Sequence, residues 1–348
     1  MPALIAHHLL GLDVLAELRA APPNPTTPLD PAKPLSSTAP LDPAKQQNQT
    51  APLDPMAPPN ISLPLDPAVE AAFLLGCQGP DPFFYTVFHR ELVKIRRFGS
   101  RMHQERVAES LDSLRMLSTK LPPTIQPLLT AYIRGWLCHF TLDSQAHPYV
   151  YFLVQEFCSA GIPGLDENAA VEVHSQIESD LDSSLLYRHN NQTINTFRPM
   201  DEILLCDKHT VYWISVLYRL VAARVFAVRL PGIAFIRAVK DMRTSYKVLY
   251  SPQGYKRELI GRIERLARTH SLAQATAHRS DVGEWSDFDN QDHQQWTNPY
   301  SGEANCSSFA DIYADAVALA VQRQLLYSED IPAFDLVGAL NFSGSPVQ

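Results

Sequence analysis

The sequence predicts an all-α protein that forms one multi-helix domain over residues 1–348. Apolar side chains recur three and four residues apart along most of the chain, which is the spacing of one helix face. The strict alternation that marks a half-buried strand is weak throughout. Apolar residues make up 45% of the 348 residues, which is enough for a single large core.

Eight helices follow from the apolar pattern. In the first, Leu10, Val14 and Leu18 lie four residues apart and share one face. The predicted helices span residues 5–19, 69–75, 101–117, 124–146, 167–187, 207–229, 257–275 and 308–326. Glycine and proline predict turns at residues 79–82 and 161–164, and the polar segment 280–308 is expected to be irregular.

A tandem repeat interrupts the chain after the first helix. The motif PLDP begins at Pro28, Pro40, Pro52 and Pro64, with a period of twelve residues. Proline lacks the backbone N–H that helices and sheets need, and the segment has little apolar mass to offset its ordering entropy. We therefore expect a disordered insert over residues 21–64, which is either a linker without further function or a polyproline-type ligand for a partner.

Charge and cysteine content narrow the class of protein. The net charge is −8, so a standing nucleic-acid partner is not expected, because such proteins usually carry a basic surface. The cysteines, which are odd in number and widely spaced, do not predict a disulfide framework. They are Cys77, Cys138, Cys158, Cys206 and Cys306.

The N-terminus and the apolar segments bear on localisation. The first residues, MPALIA, lack the basic region and the cleavage site of a signal peptide. Arginines interrupt the longest apolar stretch, residues 210–239. We therefore expect a cytoplasmic protein without a transmembrane segment.

The most specific motif lies in the segment GWLCHFTLDSQAHPY, residues 135–149. His139, Asp143 and His147 follow one another at intervals of four, which places them on one helix face. With 12 histidines and 37 acidic residues in the chain, this arrangement is expected by chance about 0.04 times. An imidazole and a carboxylate so placed can bind one metal ion. Pro148 predicts that the helix ends or kinks at His147, so that this side chain could reach a second ion.

A second histidine–acid pair consists of His174 and Glu178. Their spacing alone is common by chance, but both lie on the apolar stripe that includes Leu181. A carboxylate on an apolar face must be paired or coordinated, because burying it alone is costly. Two helices are thus expected to bring a histidine and an acid each to the core.

Three further residues carry weaker signals. Asp81 lies between Pro80 and Pro82 in a turn, where it either caps the next helix or belongs to a site. His103 and His7 lie in predicted helices, His103 near the start of its own. Taken singly, each would be an ordinary surface or core histidine.

In chain order these residues resemble the zinc-dependent phospholipase C family, whose fold is related to that of the S1/P1-type nucleases. Members have a histidine in the first helix, an aspartate in a G-x-D-like turn, a histidine on the following helix, H-x3-D with a further histidine, and then H-x3-E. This chain supplies His7, Asp81, His103, His139, Asp143, His147, His174 and Glu178. The resemblance covers residues 1–187 apart from the insert, with a weaker echo at residues 296–317.

The resemblance implies two or three zinc ions and hydrolysis of a phosphodiester P–O bond, with phospholipid as substrate. The implied ligand groups are His103, His139 and Asp143 for one ion and His147, His174 and Glu178 for another. Asp81 would orient or deprotonate the attacking water. Secreted members of the family place an N-terminal Trp at a third zinc ion. This sequence begins without that Trp, so a third ion would depend on His7 with a bridging Asp143. His8 is expected to point elsewhere.

Two other functions stay open. An S1/P1-type nuclease would need aromatic platforms for bases, for which Phe83, Phe84, Tyr85 and Trp136 are candidates. The second alternative is a non-catalytic metal-binding protein of the same fold. The segment 208–247 carries eight Lys or Arg and one acid among many aliphatic residues. It is read either as a peripheral membrane surface for anionic lipid or as core helices with solvated arginines.

Overall fold

A computed structural model describes residues 4–20, 66–266, 269–279, 287–327 and 331–347. Within these ranges the chain is mostly helical, which confirms the predicted all-α class, and the two strands hold two residues each. The predicted repeat insert, residues 21–64, lies outside the described part of the chain.

The helices are α1 (Leu4–Ala20), α2 (Pro67–Gly76), α3 (Leu92–Gln104), α4 (Val107–Ser118), α5 (Gln126–Ser159), α6 (Ala170–Asn190), α7 (Pro199–Glu202), α8 (Lys208–Phe226), α9 (Ala234–Leu249), α10 (Tyr255–Glu264), α11 (Leu272–Thr276), α12 (Phe309–Leu326) and α13 (Ala333–Val337). Short 3₁₀ helices, Asp81–Tyr85 and Glu167–Ala169, precede α3 and α6. Strands β1 (Trp296–Thr297) and β2 (Ala304–Asn305) form an antiparallel hairpin.

The 34-residue helix α5 is the centre of the fold. It packs against α1, α2, α4, α6, α8 and α12. Its middle is buried on most sides, and Tyr132, Trp136 and His139 are fully inaccessible. A helix that is apolar nearly all round belongs in the interior of a large core. The motif of residues 135–149 therefore lies at the centre of the molecule.

Helices α2 and α5 touch through their backbones at two glycines. A Cβ atom on Gly76 would lie 2.1 Å from the carbonyl oxygen of Tyr132, and one on Gly135 would lie 2.0 Å from that of Phe73. Any larger residue would therefore push the helices apart. The close crossing brings the turn that follows α2 against the middle of α5.

Polar caps set several helix boundaries. Asp66 accepts a hydrogen bond from the Ala68 N–H and is followed by Pro67, so the last PLDP copy begins α2. Asp207 caps α8, and Ser308 forms a capping box at the start of α12. These caps agree with the predicted starts at residues 207 and 308.

Three expectations about helices are wrong. The predicted helix 101–117 is interrupted, because Arg106 adopts a left-handed conformation (φ 54°) between α3 and α4. His103 consequently lies in the last turn of α3 instead of near a helix start. The predicted helix 257–275 is also divided, with Ser271 capping α11.

Helix α5 does not end at His147. It continues through Pro148 to Ser159. Proline removes one intrahelical hydrogen bond, but the residues just after it, Tyr149 and Val150, are buried in the core and hold the helix in place. The predicted irregular segment 280–308 contains the β1–β2 hairpin, and α7, α9 and α13 were not predicted.

The apolar helices do not have the properties of membrane spans. Among the described residues, none is both long enough and apolar enough to cross a membrane. The basic segment 208–247 forms α8, a reversal and α9, in which the aliphatic side chains of both helices are largely buried and most of the Lys and Arg residues are exposed.

Candidate metal centre

The structure brings all eight predicted site residues together. They come from α1, the 3₁₀ helix Asp81–Tyr85, α3, α5 and α6. Their potential ligand atoms fall into three groups, within each of which the atoms lie no more than 4.8 Å apart. The groups are His7, Asp81 and His139; His103, His139 and Asp143; and His147, His174 and Glu178. The second and third are the two ligand sets that the resemblance implies.

Asp143 lies between the groups. Its Oδ1 is 3.0 Å from Nε2 of His7, and its Oδ2 is 3.3 Å from Nε2 of His139. Nδ1 of His147, one turn further along α5, lies 3.8 Å from Oδ1. A single buried carboxylate therefore faces histidines from both sets, as a bridging ligand would.

Asp81 does not cap a helix. Its carboxylate makes no capping hydrogen bond in the 3₁₀ helix, and Oδ1 instead lies 2.9 Å from Nε2 of His103. It also lies 3.6 Å from Nε2 of His139. Gly79 allows this approach, because its φ is +49° and a Cβ there would lie 2.3 Å from Cδ2 of His139.

The other set lies where α5 faces α6. Oε1 of Glu178 is 3.0 Å from Nε2 of His174 and 3.3 Å from Nε2 of His147. The rings of His147 and His174 stack with centroids 5.5 Å apart. Both histidine side chains stay slightly exposed, so this end of the cluster is reached from solvent.

Three of the histidines are oriented in the same way. Nδ1 of His103 contacts the carbonyl oxygen of Gly99 at 2.7 Å, Nδ1 of His139 that of Cys77 at 3.1 Å, and Nδ1 of His147 that of Phe342 at 2.8 Å. A carbonyl oxygen only accepts, so each Nδ1 carries the proton and donates it. Nε2 of each ring then points at a carboxylate. Metal-binding histidines are typically held by such a hydrogen bond from the ring nitrogen that does not face the ion.

The acids in the cluster are held in the ionised form. Burial by itself would raise the pKa of Asp143, but His139, His147 and His7 lower it to about 2. Burial opposes ionisation of Asp81 and Glu178 as well, yet the adjacent histidines bring the pKa of each well below its usual range.

The histidines respond to the same charges. Burial lowers the pKa of His147, but Asp143 and Glu178 outweigh it and raise the value to about 9. Burial also opposes protonation of His7, yet Asp143 outweighs it and the pKa of His7 is raised. Burial dominates at His174 and lowers its pKa. His8 is buried apart from the three groups, with its pKa lowered to about 4 by burial alone.

Two buried polar atoms bear on whether the cluster could hold a cation. Within the described part of the chain, Oδ2 of Asp81 and Nε2 of His139 have no hydrogen-bond partner. Nε2 of His139 lies 3.3 Å from Oδ2 of Asp143 and 3.6 Å from Oδ1 of Asp81, an arrangement that is satisfied either by a second proton on the ring or by a cation bound between these groups. Imidazole nitrogens and carboxylate oxygens at this spacing suit zinc.

The C-terminal segment contributes groups that the sequence did not indicate. Phe342 packs against the rings of His103 and His139, and its backbone orients His147. Tyr151 lies 5.0 Å from the His174 ring and 6.0 Å from Tyr300, centroid to centroid. The position of Tyr151, one turn beyond His147, was a usable signal. No pattern linked Phe342 to the site, whereas Tyr300 lies within the weaker echo of the family at residues 296–317.

The proposed aromatic platforms are mostly inaccessible. Phe83, Tyr85 and Trp136 are buried, so that expectation is wrong for these three. Only Phe84 of the four is partly exposed, with its ring 4.9 Å from that of His103.

Comparisons with protein-family models, with curated proteins and with solved structures gave no match.

Proposed function

We propose that this chain is a metal-dependent phosphodiester hydrolase with the fold and chemistry of the zinc-dependent phospholipase C family. One observation carries the proposal: His103, His139 and His147 each donate Nδ1–H to a backbone carbonyl and direct Nε2 at a buried carboxylate. Ordinary core histidines have no reason to share this orientation around one cluster. The ordered set of eight residues, brought together from five elements, supports the same conclusion.

The residues divide into two holding groups and one orienting acid. His103, His139 and Asp143 would hold one ion, and His147, His174 and Glu178 another, with His7 beside the bridging Asp143. Bound zinc ions would supply Lewis acidity that lowers the pKa of water and neutralises charge on a phosphoryl group.

Asp81 contributes through its two oxygens separately. Oδ1 lies 2.9 Å from Nε2 of His103, while Oδ2 is buried without a hydrogen-bond partner among the described residues. The lowered pKa keeps this carboxylate ionised. Asp81 is therefore better suited to orienting the attacking water through Oδ2 than to storing its proton, since an efficient base has a pKa near the working pH.

Phospholipid is the substrate we propose, on the strength of the resemblance, and a nuclease is the alternative. Phe84 and Tyr151 are rings at the edge of the cluster on which a base could stack. Assays with phosphatidylcholine, single-stranded DNA and bis-nitrophenyl phosphate separate the two: cleavage of the first and third supports the phospholipase, and cleavage of DNA and the third supports the nuclease.

The deciding experiment measures metal content by elemental mass spectrometry, together with phosphodiesterase activity. We expect two or three zinc ions per chain in the wild type and loss of metal and activity in Asp143→Ala/Glu178→Ala. The matched control is Asp180→Asn on α6, which pairs with Arg279 away from the cluster. The absence of metal from folded protein that was never exposed to a chelator would refute the proposal. A folded, metal-replete protein without phosphodiesterase activity would favour a non-catalytic role.

A further inference from the structure

An exposed apolar tip follows the 3₁₀ helix that carries Asp81. Val87 is 42% exposed and Phe88 is 72% exposed, while Val93, one step into α3, is 74% exposed. Apolar side chains exposed to this degree forgo the free energy that burial would give them. A group of such side chains on the surface is typical of an interaction site. These three side chains form the surface that we call the apolar tip.

The tip is held outward by a buried carboxylate. Oδ2 of Asp241 in α9 accepts hydrogen bonds from the backbone N–H groups of Val87 (2.9 Å) and Phe88 (3.1 Å), and Asp241 is only 3% exposed. Arg96 donates from Nε to the carbonyl oxygen of Thr86. Because these bonds fix the backbone of Val87 and Phe88, turning this segment inward would break them and leave the buried Asp241 carboxyl group without its partners. The exposed conformation is thus enforced by the surrounding structure.

The tip is surrounded by positive charge. Arg90, Lys94, Arg96 and Arg97 are exposed, and Glu91, the one acid of residues 86–97, is paired with Lys94 at 3.1 Å. In α9, the exposed Lys240 directly precedes Asp241. The whole chain has a net charge of −8, so this local excess of cations runs against the overall composition.

The same segment leads into the metal cluster at both ends. Asp81 begins the 3₁₀ helix just before the tip, and His103 lies in the last turn of α3 just after it. Phe84, between Asp81 and the tip, packs against the His103 ring at 4.9 Å. A partner surface that contacts the apolar tip would therefore lie close to the metal cluster, separated from it by the short 3₁₀ helix.

We propose that the apolar tip and its cations dock the protein on an anionic lipid bilayer. Val87, Phe88 and Val93 would enter the boundary between head groups and acyl chains, and Arg90 and Arg97 would meet anionic head groups. The proposal deepens the function proposed above and rests on it for the choice of phospholipid. Docking at the tip would bring the lipid surface, which carries the substrate, close to the metal cluster that includes Asp81 and His103.

The test is sedimentation of the full-length protein with vesicles of phosphatidylcholine alone or mixed with phosphatidylserine. The wild type should bind the mixed vesicles more strongly. Phe88→Ser should lower the partition coefficient about tenfold or more, and Arg90→Gln/Arg97→Gln about thirtyfold on mixed vesicles only. Phe334→Ser is the matched control, because Phe334 is 57% exposed on α13, which packs against α4 and α5. It should bind like the wild type.

Two readouts separate this proposal from the enzymatic one. Hydrolysis of soluble bis-nitrophenyl phosphate by Phe88→Ser should equal that of the wild type, while its hydrolysis of vesicle phospholipid falls. Vesicle binding that depends on Phe88, without any hydrolysis, would uphold docking and refute the hydrolase. Soluble hydrolysis with no vesicle binding, or a wild-type dimer that Phe88→Ser dissociates without vesicle binding, would overturn the docking proposal.

Discussion

Oδ1 of Asp182 in α6 accepts a 2.7 Å hydrogen bond from the backbone N–H of Ala6, the residue before His7. Its Oδ2 accepts a second from the Ile5 N–H at 2.9 Å and lies 2.8 Å from Nε2 of His278. The first N–H groups of a helix have no intrahelical partner and form its positive end. Asp182 therefore fixes α1 against α6 and, through α1, places His7 beside Asp143.

Replacing Asp182 by asparagine should loosen this anchor. The amide would present a donor where only acceptors are useful, so we expect the free energy of unfolding to fall by about 2 kcal/mol. Metal affinity should fall as well, because His7 is displaced. Denaturant titration and metal titration measure the two effects. Asp180→Asn, two residues away and remote from α1, should change neither, and an unaltered unfolding midpoint in Asp182→Asn would argue against the anchor.

Gly79→Ala should damage the site while leaving the fold intact. A Cβ at this position would lie 2.3 Å from Cδ2 of His139, so the turn that carries Asp81 must move. We expect phosphodiesterase activity to fall about a hundredfold, since small displacements of reacting groups have effects of this size. Circular dichroism checks that the helices remain.

The control for Gly79→Ala must share its backbone strain. Gly302 has φ +74°, and a Cβ there would meet no described atom within 4 Å, so Gly302→Ala carries the left-handed penalty of about 1 kcal/mol without a clash. It should retain full activity. Equal loss of activity in the two variants would show that strain, and not contact with His139, explains the effect.

Metal binding should release protons. His147 has a pKa of about 9 without metal, so at about pH 7.5 its imidazole is protonated and must lose that proton to bind an ion. His7, whose pKa is also raised, adds a further fraction. We expect release of at least about one proton per chain. Calorimetric titration with zinc in buffers of different ionisation enthalpy measures it, and buffer-independent heats would contradict the assignment.

The metal-free protein should lose stability both above neutral pH and in acid. The pKa of His147 rises from 6.5 to about 9 on folding, so its contribution is fully present below about pH 6.5 and is lost as the pH rises through 9. The loss is on the order of 3 kcal/mol. The pKa of Asp143 falls from 3.8 to about 2, so its contribution is present above pH 3.8 and lost as the pH falls through 2.

Denaturant titration of the chelator-treated protein across this range measures the effect. His147→Gln should remove most of the alkaline decline while the acidic decline remains. If the variant and the wild type lose stability in parallel above neutral pH, then His147 is not the group responsible.

Phe342→Ala should destabilise the protein and disturb the cluster together. The ring is buried against Trp136, Phe140 and the site histidines, so its removal leaves a cavity. We expect a loss of about 3–5 kcal/mol in the free energy of unfolding. Phe334→Ala, at an exposed position, should cost less than about 0.5 kcal/mol. A small effect of Phe342→Ala would mean that the C-terminal segment is not docked as described.

Local sequence patterns accounted for most helices and for the two histidine–acid motifs of the cluster, whereas His7, Asp81 and His103 were assigned to it only by the family resemblance. His139, Asp143, His174 and Glu178 were recognisable because a spacing of four residues puts side chains on one helix face whatever the rest of the fold does. The same reasoning failed at Arg106 and Pro148. There a left-handed residue and a buried proline were decided by packing, which local propensity does not contain.

The sequence by itself determined the all-α class, the helix faces and the kinds of ligand that could meet. Tertiary structure alone decided that α1, α3, α5 and α6 converge, that the backbone carbonyls of Cys77 and Phe342 orient His139 and His147, and that Asp182 anchors α1. The physical reason is range. Helix periodicity acts over a few residues, whereas these contacts join residues as far as 195 positions apart and form only when the core closes.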